Sequence, residues 1–257
     1  MRHVCPNTHG QDSVNGCVCR QQFFDLTGFL VVRGVMNGQW LDDARAAVEP
    51  FYQAPVSQEV QMTEHPAMAG TPRPSCAAGN LFELPGRQGA VFHRCIDHPA
   101  IVSRLNWMLA GGSVTSTLNA NLLMMSQGSV GQVIHSGVTN PTAAGHHYAY
   151  RNGRVMAGAS LNVAWQLTDS PPGSGGFVIS PGSHKSRWGL PHAVRWADDR
   201  STLRAVNMEA GDVLFFLGSS VAHGAVRWER EEWRSVLLLQ YQARHAAWSG
   251  RLWAPRL

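Results

Sequence analysis

The sequence predicts a mainly β protein with flanking helices, an antiparallel barrel or double-sheet jelly roll. Three observations carry this expectation. Short apolar runs recur from the middle of the chain onward, at residues 118–125, 132–135, 159–167, 176–179, 206–208, 212–217 and 235–241. Turn signals separate them, among them Pro171-Pro172-Gly173, Pro181-Gly182-Ser183 and Ala210-Gly211-Asp212. Two helical patterns precede them, which places the helices beside the sheets rather than between consecutive strands. A chain of 257 residues is long enough to bury one large core, so a single domain is expected over residues 23–257.

The elements follow in order. Residues 1–22 are polar and carry no periodicity, and they read as an N-terminal tail. Gly28-Phe29-Leu30-Val31-Val32-Arg33-Gly34 is a β-branched run between glycines, a strand. After Asn37-Gly38, the residues Trp40, Leu41, Ala44, Ala47, Val48 and Phe51 fall at helical spacing. Residues 53–90 are rich in Pro, Gly and Ala and read as long loops that flank a cleft. A second helix is expected over 96–109 through Ile101, Leu105 and Leu109, ending at Gly111-Gly112. Residues 140–153 read as a loop over the cleft.

Composition narrows the function classes. Hydrophobic residues make up 44% and charged residues 15%, with a formal net charge of +4. The basic residues are scattered, which argues against a nucleic-acid partner while leaving small anionic substrates compatible. The N-terminus has no apolar run of signal-peptide type and no segment is long enough to span a bilayer, so a soluble, cytoplasmic protein without a membrane partner is expected. The five cysteines form no disulfide framework, and a metal site at Cys5, His9, Cys17 and Cys19 is the minor alternative to a simple tail. Oligomeric state is not legible.

Two of the twelve histidines share a context. Val133-Ile134-His135-Ser136-Gly137 and Val221-Ala222-His223-Gly224-Ala225 each bring a histidine to the end of an apolar run, followed by small residues, as at the mouth of a barrel. Their blander reading is as satisfied buried histidines. Arg234 follows eleven residues after His223 and opens the last long strand, where a planar guanidinium can grip a carboxylate through two hydrogen bonds.

Here the sequence resembles the phytanoyl-CoA dioxygenase family of Fe(II)- and 2-oxoglutarate-dependent oxygenases. The resemblance rests on the run from Gly28 to Val35, on Trp165-Gln166-Leu167-Thr168-Asp169 leading through Gly175-Gly176 into Pro181-Gly182-Ser183-His184-Lys185, and on Ala210-Gly211-Asp212 before His223-Gly224. It implies a double-stranded β-helix of cupin type, Fe(II) and 2-oxoglutarate as cofactors, O2 as co-reactant and a small-molecule substrate. It further implies His135 and His223 as metal ligands and Arg234 as the anchor of 2-oxoglutarate. The family's third ligand is an Asp two residues after the first His, and Gly137 stands there instead. A carboxylate supports O2 activation in the two-His-one-carboxylate arrangement.

Three readings of Gly137 stay open. In the first, a hydroxylating dioxygenase completes its site with water or a carboxylate from elsewhere, with Asp169, Asp212 and Glu83 as candidates. In the second, which resembles the iron/2-oxoglutarate halogenases, the glycine leaves room for a halide. In the third, the domain binds a ligand without turnover; a metal-dependent cupin-type enzyme lacking 2-oxoglutarate is a further option. His146 and His147 are alternative proximal ligands. His184 is expected to fix its turn, Lys185 and Arg187 to be solvated, and Tyr148 and Tyr150 to pack. Strand alternation leaves only one of Trp165 and Gln166 to face the pocket.

Overall fold

The computed structural model describes residues 14–53, 58–59, 75–76, 81–109, 114–117, 120–135, 148–151, 154–157, 160–186, 188–243 and 252–253. It opens with helix α1 (Val14–Thr27) and strand β1 (Phe29–Val32), followed by α2 (Gly38–Val48) and α3 (Pro50–Gln53). Two-residue strands β2 (Gln58–Glu59) and β3 (Ser75–Cys76) precede a 3-10 turn (Leu81–Glu83), α4 (Arg87–His93) and α5 (Pro99–Met108). Then come β4 (Val114–Thr117), β5 (Asn121–Met125), β6 (Gln132–His135), β7 (Tyr148–Arg151), β8 (Arg154–Ala157), β9 (Leu161–Gln166) and β10 (Gly176–Ile179). A 3-10 turn (Ser183–Lys185), α6 (His192–Arg195), β11 (Arg204–Ala205), β12 (Val213–Phe216), β13 (His223–Val226), β14 (Arg234–Ala243) and β15 (Leu252–Trp253) complete the order.

Two antiparallel sheets result. The large sheet runs β1-β12-β9-β14-β5-β3-β2, with β4 joined to β14 and β15 to β4, and the small sheet runs β11-β10-β13-β6. Strands β5, β9, β12 and β14 belong to the large sheet, and β6, β10 and β13, which alternate with them along the chain, belong to the small one. The ten-residue β14 pairs with β9, β5 and β4 and is the spine of the large sheet.

The large sheet is apolar on its helix-covered face. Register sets Val163 and Trp165 beside Phe215, Val213, Leu237 and Leu239, all fully buried. Trp165 meets Trp40 of α2 edge-on at 5.4 Å, and Trp40 anchors in turn through an Nε1–H donated to the Val91 carbonyl at 3.1 Å. Helix α2 buries Trp40, Ala44, Ala47 and Val48 and α5 buries Ile101, Leu105 and Met108, as their 3.6-residue spacing requires. Pro99 at the first position of α5 and the His98 ring, which accepts the Ala100 N–H at 3.2 Å, start that helix. On the outer side of the small sheet, Ile134, Val178 and Val226 pack with Val194 of α6, Leu203 and Ala222. The two inner faces are left to form the site.

Several expectations need correction. Residues 14–22, read as tail, are the first part of α1, which the sandwich holds through buried Phe24 against Trp107 and Tyr148. Residues 53–90, read as loops, contain β2, β3, the 3-10 turn Leu81–Glu83 and the start of α4. The run 206–208 is not a strand of either sheet: β11 precedes it, and Met208 makes only an isolated bridge to Ser170. Within 140–153, residues 148–151 belong to a hairpin with β8. Alternation holds at Trp165, which turns toward Trp40 of α2, and Gln166, which lies on the opposite face, and both are fully buried because helices cover one face of the sheet and the small sheet the other. No helix among the described residues is long and apolar enough to cross a membrane. Cys5 and His9 lie outside the described residues, and Cys19 is exposed.

Candidate metal and cosubstrate site

His135 is the last residue of β6 and His223 the first of β13, and the two pair directly across the small sheet. His223 therefore opens a strand, where the sequence suggested the end of one. The register slips just after this pair, with Ala225 opposite Gln132. Gly224 permits the close approach, since a Cβ there would lie 2.6 Å from the Gln132 carbonyl oxygen and 2.8 Å from that of Val133. The two imidazole centroids stand 4.4 Å apart at 53°.

Each ring is oriented by the backbone two residues before it. Nδ1–H of His135 donates to the Val133 carbonyl at 2.8 Å, and Nδ1–H of His223 donates to the Val221 carbonyl at 2.9 Å. A carbonyl only accepts, so both neutral rings carry their proton on Nδ1 and present a lone pair at Nε2. Ligation of a metal through Nε2 needs this tautomer, and a hydrogen bond on the far nitrogen is the usual way to fix it. Phe216 of β12 lies 4.7 Å from the His223 ring and Phe177 of β10 at 5.9 Å, so His223 is held between the sheets. Burial first, and then the adjoining His135 ring, which disfavours a second positive charge, push the pKa of His223 down to about 3.

That depression has a stability consequence. The unfolded chain takes up the His223 proton near pH 6.5, well above the folded value, so folding excludes a proton throughout the interval between them. We expect the metal-free protein to be insensitive to His223 above about pH 7 and to lose stability as the pH falls below about 6.5, at up to about 1.4 kcal/mol per pH unit. Melting temperatures of the wild type and of His223→Gln between pH 7.5 and 5 measure this; a difference that does not change with pH contradicts it.

Arg234 opens β14, opposite Met125, and its side chain crosses toward the small sheet. Gly176 of β10, at φ 79°, clears its path, because a Cβ there would sit 3.0 Å from Cδ and Nε of the arginine. Its Nη1 lies 3.9 Å from the Met125 sulfur, and Trp228, whose Nε1–H donates to the Glu232 carbonyl, lines the same spot. The arginine is 5% exposed, its Nε is buried without a partner, and among the described residues no carboxylate pairs with it. Burial lowers its pKa to about 10, so it stays charged at neutral pH. A buried cation left unpaired is costly, and an anion that enters between the sheets would relieve the cost.

The carboxylates proposed from sequence sit elsewhere. Asp212 accepts hydrogen bonds from Arg33, from the Gly34 N–H at 2.9 Å and from the Glu209 N–H at 2.8 Å, so its lone pairs tie β1 to the turn before β12. Asp169 accepts the Ala210 N–H at 2.8 Å, and Glu83 is exposed on its 3-10 turn. Among the described residues no group of three or more His, Cys, Asp or Glu converges as a metal site. Gly137, His146, His147 and Arg187 lie outside the described residues, as does the Tyr150 side chain. Lys185 pairs with Asp25 at 2.8 Å. His184 is buried and bonded through Nε2 to the Asp25 carbonyl at 3.0 Å, which staples α1 to the turn, as expected for that residue. Tyr148 packs edge-on against Phe24 and His184.

Sequence reasoning missed the residues that shape the space: Phe177, Phe216, Met125, Trp228 and Gly176. Only Gly176 carried a signal, a second glycine where one turn glycine suffices.

Two imidazole lone pairs and a buried guanidinium awaiting an anion fit a divalent metal with a dicarboxylate cosubstrate. Comparison with solved structures gives HygX from Streptomyces hygroscopicus, crystallised with nickel, 2-oxoglutarate and hygromycin B, at 22% identity and TM-score 0.68 over 88% of this chain and 86% of that one. SnoN, a non-haem α-ketoglutarate-dependent epimerase from nogalamycin biosynthesis, aligns at 16% identity and TM-score 0.65 over 90% and 82%. AviO1 from Streptomyces viridochromogenes Tue57 aligns at 16% and TM-score 0.63 over 91% and 97%. At such identities the likeness is one of fold. No curated protein matches at the sequence level. The phytanoyl-CoA dioxygenase (PhyH) model matches residues 24–235, a span that holds all of the small sheet, both histidines and Arg234 at the start of β14, and the chain belongs to that family of Fe(II)- and 2-oxoglutarate-dependent enzymes.

Proposed function

We propose that this protein is an Fe(II)- and 2-oxoglutarate-dependent dioxygenase that hydroxylates a small molecule. The carrying observation is the pairing of two neutral imidazoles, both with Nε2 free, with a buried guanidinium that lacks a counter-anion in the same space between the sheets. The alternation of strands between sheets along the chain supports the double-stranded β-helix expected from sequence. HygX was crystallised with hygromycin B and SnoN comes from nogalamycin biosynthesis, which supports a small-molecule substrate here.

His135 and His223 would hold the metal through Nε2, and their bonds to Val133 and Val221 keep the rings from turning. Arg234 would receive the far carboxylate of the cosubstrate, a fork matched to two oxygens in a site from which Met125 and Trp228 exclude water. When bound, iron and 2-oxoglutarate supply O2-driven oxidation of a substrate C–H bond, with 2-oxoglutarate leaving as succinate and CO2. Phe177 and Phe216 form an apolar wall beside the histidines, which keeps water from the reacting groups.

Gly137 gives the halogenase reading a specific footing, since no carboxylate follows His135 at the family's position. Anaerobic loading with Fe(II) and 2-oxoglutarate, then oxygen with and without chloride, separates the readings in a metabolite extract. Succinate with a product one oxygen heavier is expected. A chlorinated product supports the halogenase, and absence of Fe(II) binding leaves only the ligand-binding reading.

A further inference from the structure

We infer that Leu238 and Leu123 form the floor on which the substrate lies, and that the substrate is an uncharged molecule that lays an apolar carbon face on them. The inference rests on the oxygenase reading above and names the class of its substrate.

Alternation and register place both leucines. In β14, Leu237 and Leu239 are fully buried on the helix side, level with Trp165 and Val163, so Leu238 between them turns to the small sheet. Leu123 does the same in β5, between the fully buried Leu122 and Met124. Both keep accessible surface, whereas Arg234, Met125 and Val236 on the same face are buried. Each leucine has its backbone paired on two sides, Leu238 with Ala164 and Asn121 and Leu123 with Val236 and Cys76. The accessible surface therefore belongs to the side chains and opens between the sheets.

The same register sets the leucines beside the histidines. Gln240 is level with Phe216 through Asn162, and the Phe216 ring rests 4.7 Å from that of His223. Leu238 is the next inward position of β14, about 7 Å of strand from that level and on the way to Arg234. Residues 126–131 carry the chain from the end of β5 to β6 at the edge of the small sheet, which brings His135 to the side of the space that β5 and β14 floor. The chemistry of the enclosure is one-sided. The seven strands β5, β6, β9, β10, β12, β13 and β14 contain no Asp, Glu or Lys, and their one Arg is Arg234, which the cosubstrate takes up. A charged substrate group would lose its water there without meeting a counter-charge, at a large cost. An apolar face laid on the leucines is favoured in proportion to the area it buries. Phe177, partly accessible and 5.9 Å from the His223 ring, adds an apolar surface from the small sheet.

The test uses probes built on one six-membered ring that differ in polarity: cyclohexanol, myo-inositol, cyclohexanecarboxylate and cyclohexylamine. Saturation-transfer NMR reads their binding to protein loaded with Zn(II) and 2-oxoglutarate. We expect signals from cyclohexanol only, about five- to tenfold weaker in L238N, which puts an amide of similar size in place of the apolar surface, and lost in L238W, which fills the space. The affinity for 2-oxoglutarate should be unchanged in both variants. A second measurement needs no ligand and stands should L238W misfold: in the metal-free protein, L238C should react with methyl methanethiosulfonate, located by peptide mass, and L237C, on the buried face, should not. Binding of the inositol or of a charged probe as strong as that of cyclohexanol, no binding of cyclohexanol, an undiminished signal in L238N, weakened 2-oxoglutarate binding or an unreactive L238C would overturn the assignment. A wild-type protein that binds no 2-oxoglutarate at all would overturn the oxygenase reading itself, which is a separate outcome.

Discussion

Arg234→Met is expected to lower 2-oxoglutarate affinity by about two to three orders of magnitude while leaving the ligand-free protein as stable as the wild type or more so. The two halves of this result have one cause. The guanidinium is buried against Met125 and Trp228, its Nε is unpartnered, and burial alone lowers its pKa to about 10. Without ligand it is a desolvated cation with no counter-charge, and an apolar side chain of similar length removes that cost. On the proposed reading it would partner a buried carboxylate once ligand is bound, and truncating one member of such a pair costs about 3–5 kcal/mol. Isothermal titration of the Zn(II)-loaded variant with 2-oxoglutarate, together with its melting temperature, measures both. Unchanged affinity would reject the anchoring role, and a collapse of the ligand-free fold would show that Arg234 is structural.

The second large effect concerns stability. Asp212→Ala is expected to destabilise the fold by about 3–5 kcal/mol, a drop in melting temperature on the order of 10 °C for a domain of this size. The Asp212 side chain is almost wholly buried, 3% exposed, and it receives Arg33 and two backbone N–H groups, which the variant leaves without an acceptor. Asp169→Ala removes one exposed bond to Ala210 and should cost about 1 kcal/mol. The contrast also decides whether Asp212 fills the coordination position that Gly137 leaves open. Fe(II) affinity of Asp212→Ala, measured well below its melting temperature, should match the wild type; lost metal binding with an unaltered melting temperature would make Asp212 a ligand.

What was legible in the sequence follows from where the physics is local. The strand Phe29–Val32, helix α5 and the run into His135 were readable because apolar periodicity and bounding glycines are properties of consecutive residues. That Trp165 and Gln166 are both buried was not, because alternation says only that they face opposite sides, and it takes helices on one side and a second sheet on the other to cover both. Residues 206–208 looked like a strand for want of knowing that β10 was already paired with β11 and β13. At the candidate site, His135, His223 and Arg234 were singled out by type and spacing, yet the approach of Phe177 and Phe216 to the His223 ring is a relation between distant strands and leaves no local trace.

The most direct test of the account is a crystal structure of the protein with Fe(II) and 2-oxoglutarate, prepared without oxygen. The expected result is one iron bound by Nε2 of both His135 and His223 at about 2.0–2.2 Å, as for ordinary imidazole ligation, with the far carboxylate of 2-oxoglutarate on the Arg234 guanidinium. Iron held through Nδ1, by other residues, or with the cosubstrate carboxylate away from Arg234 would contradict it.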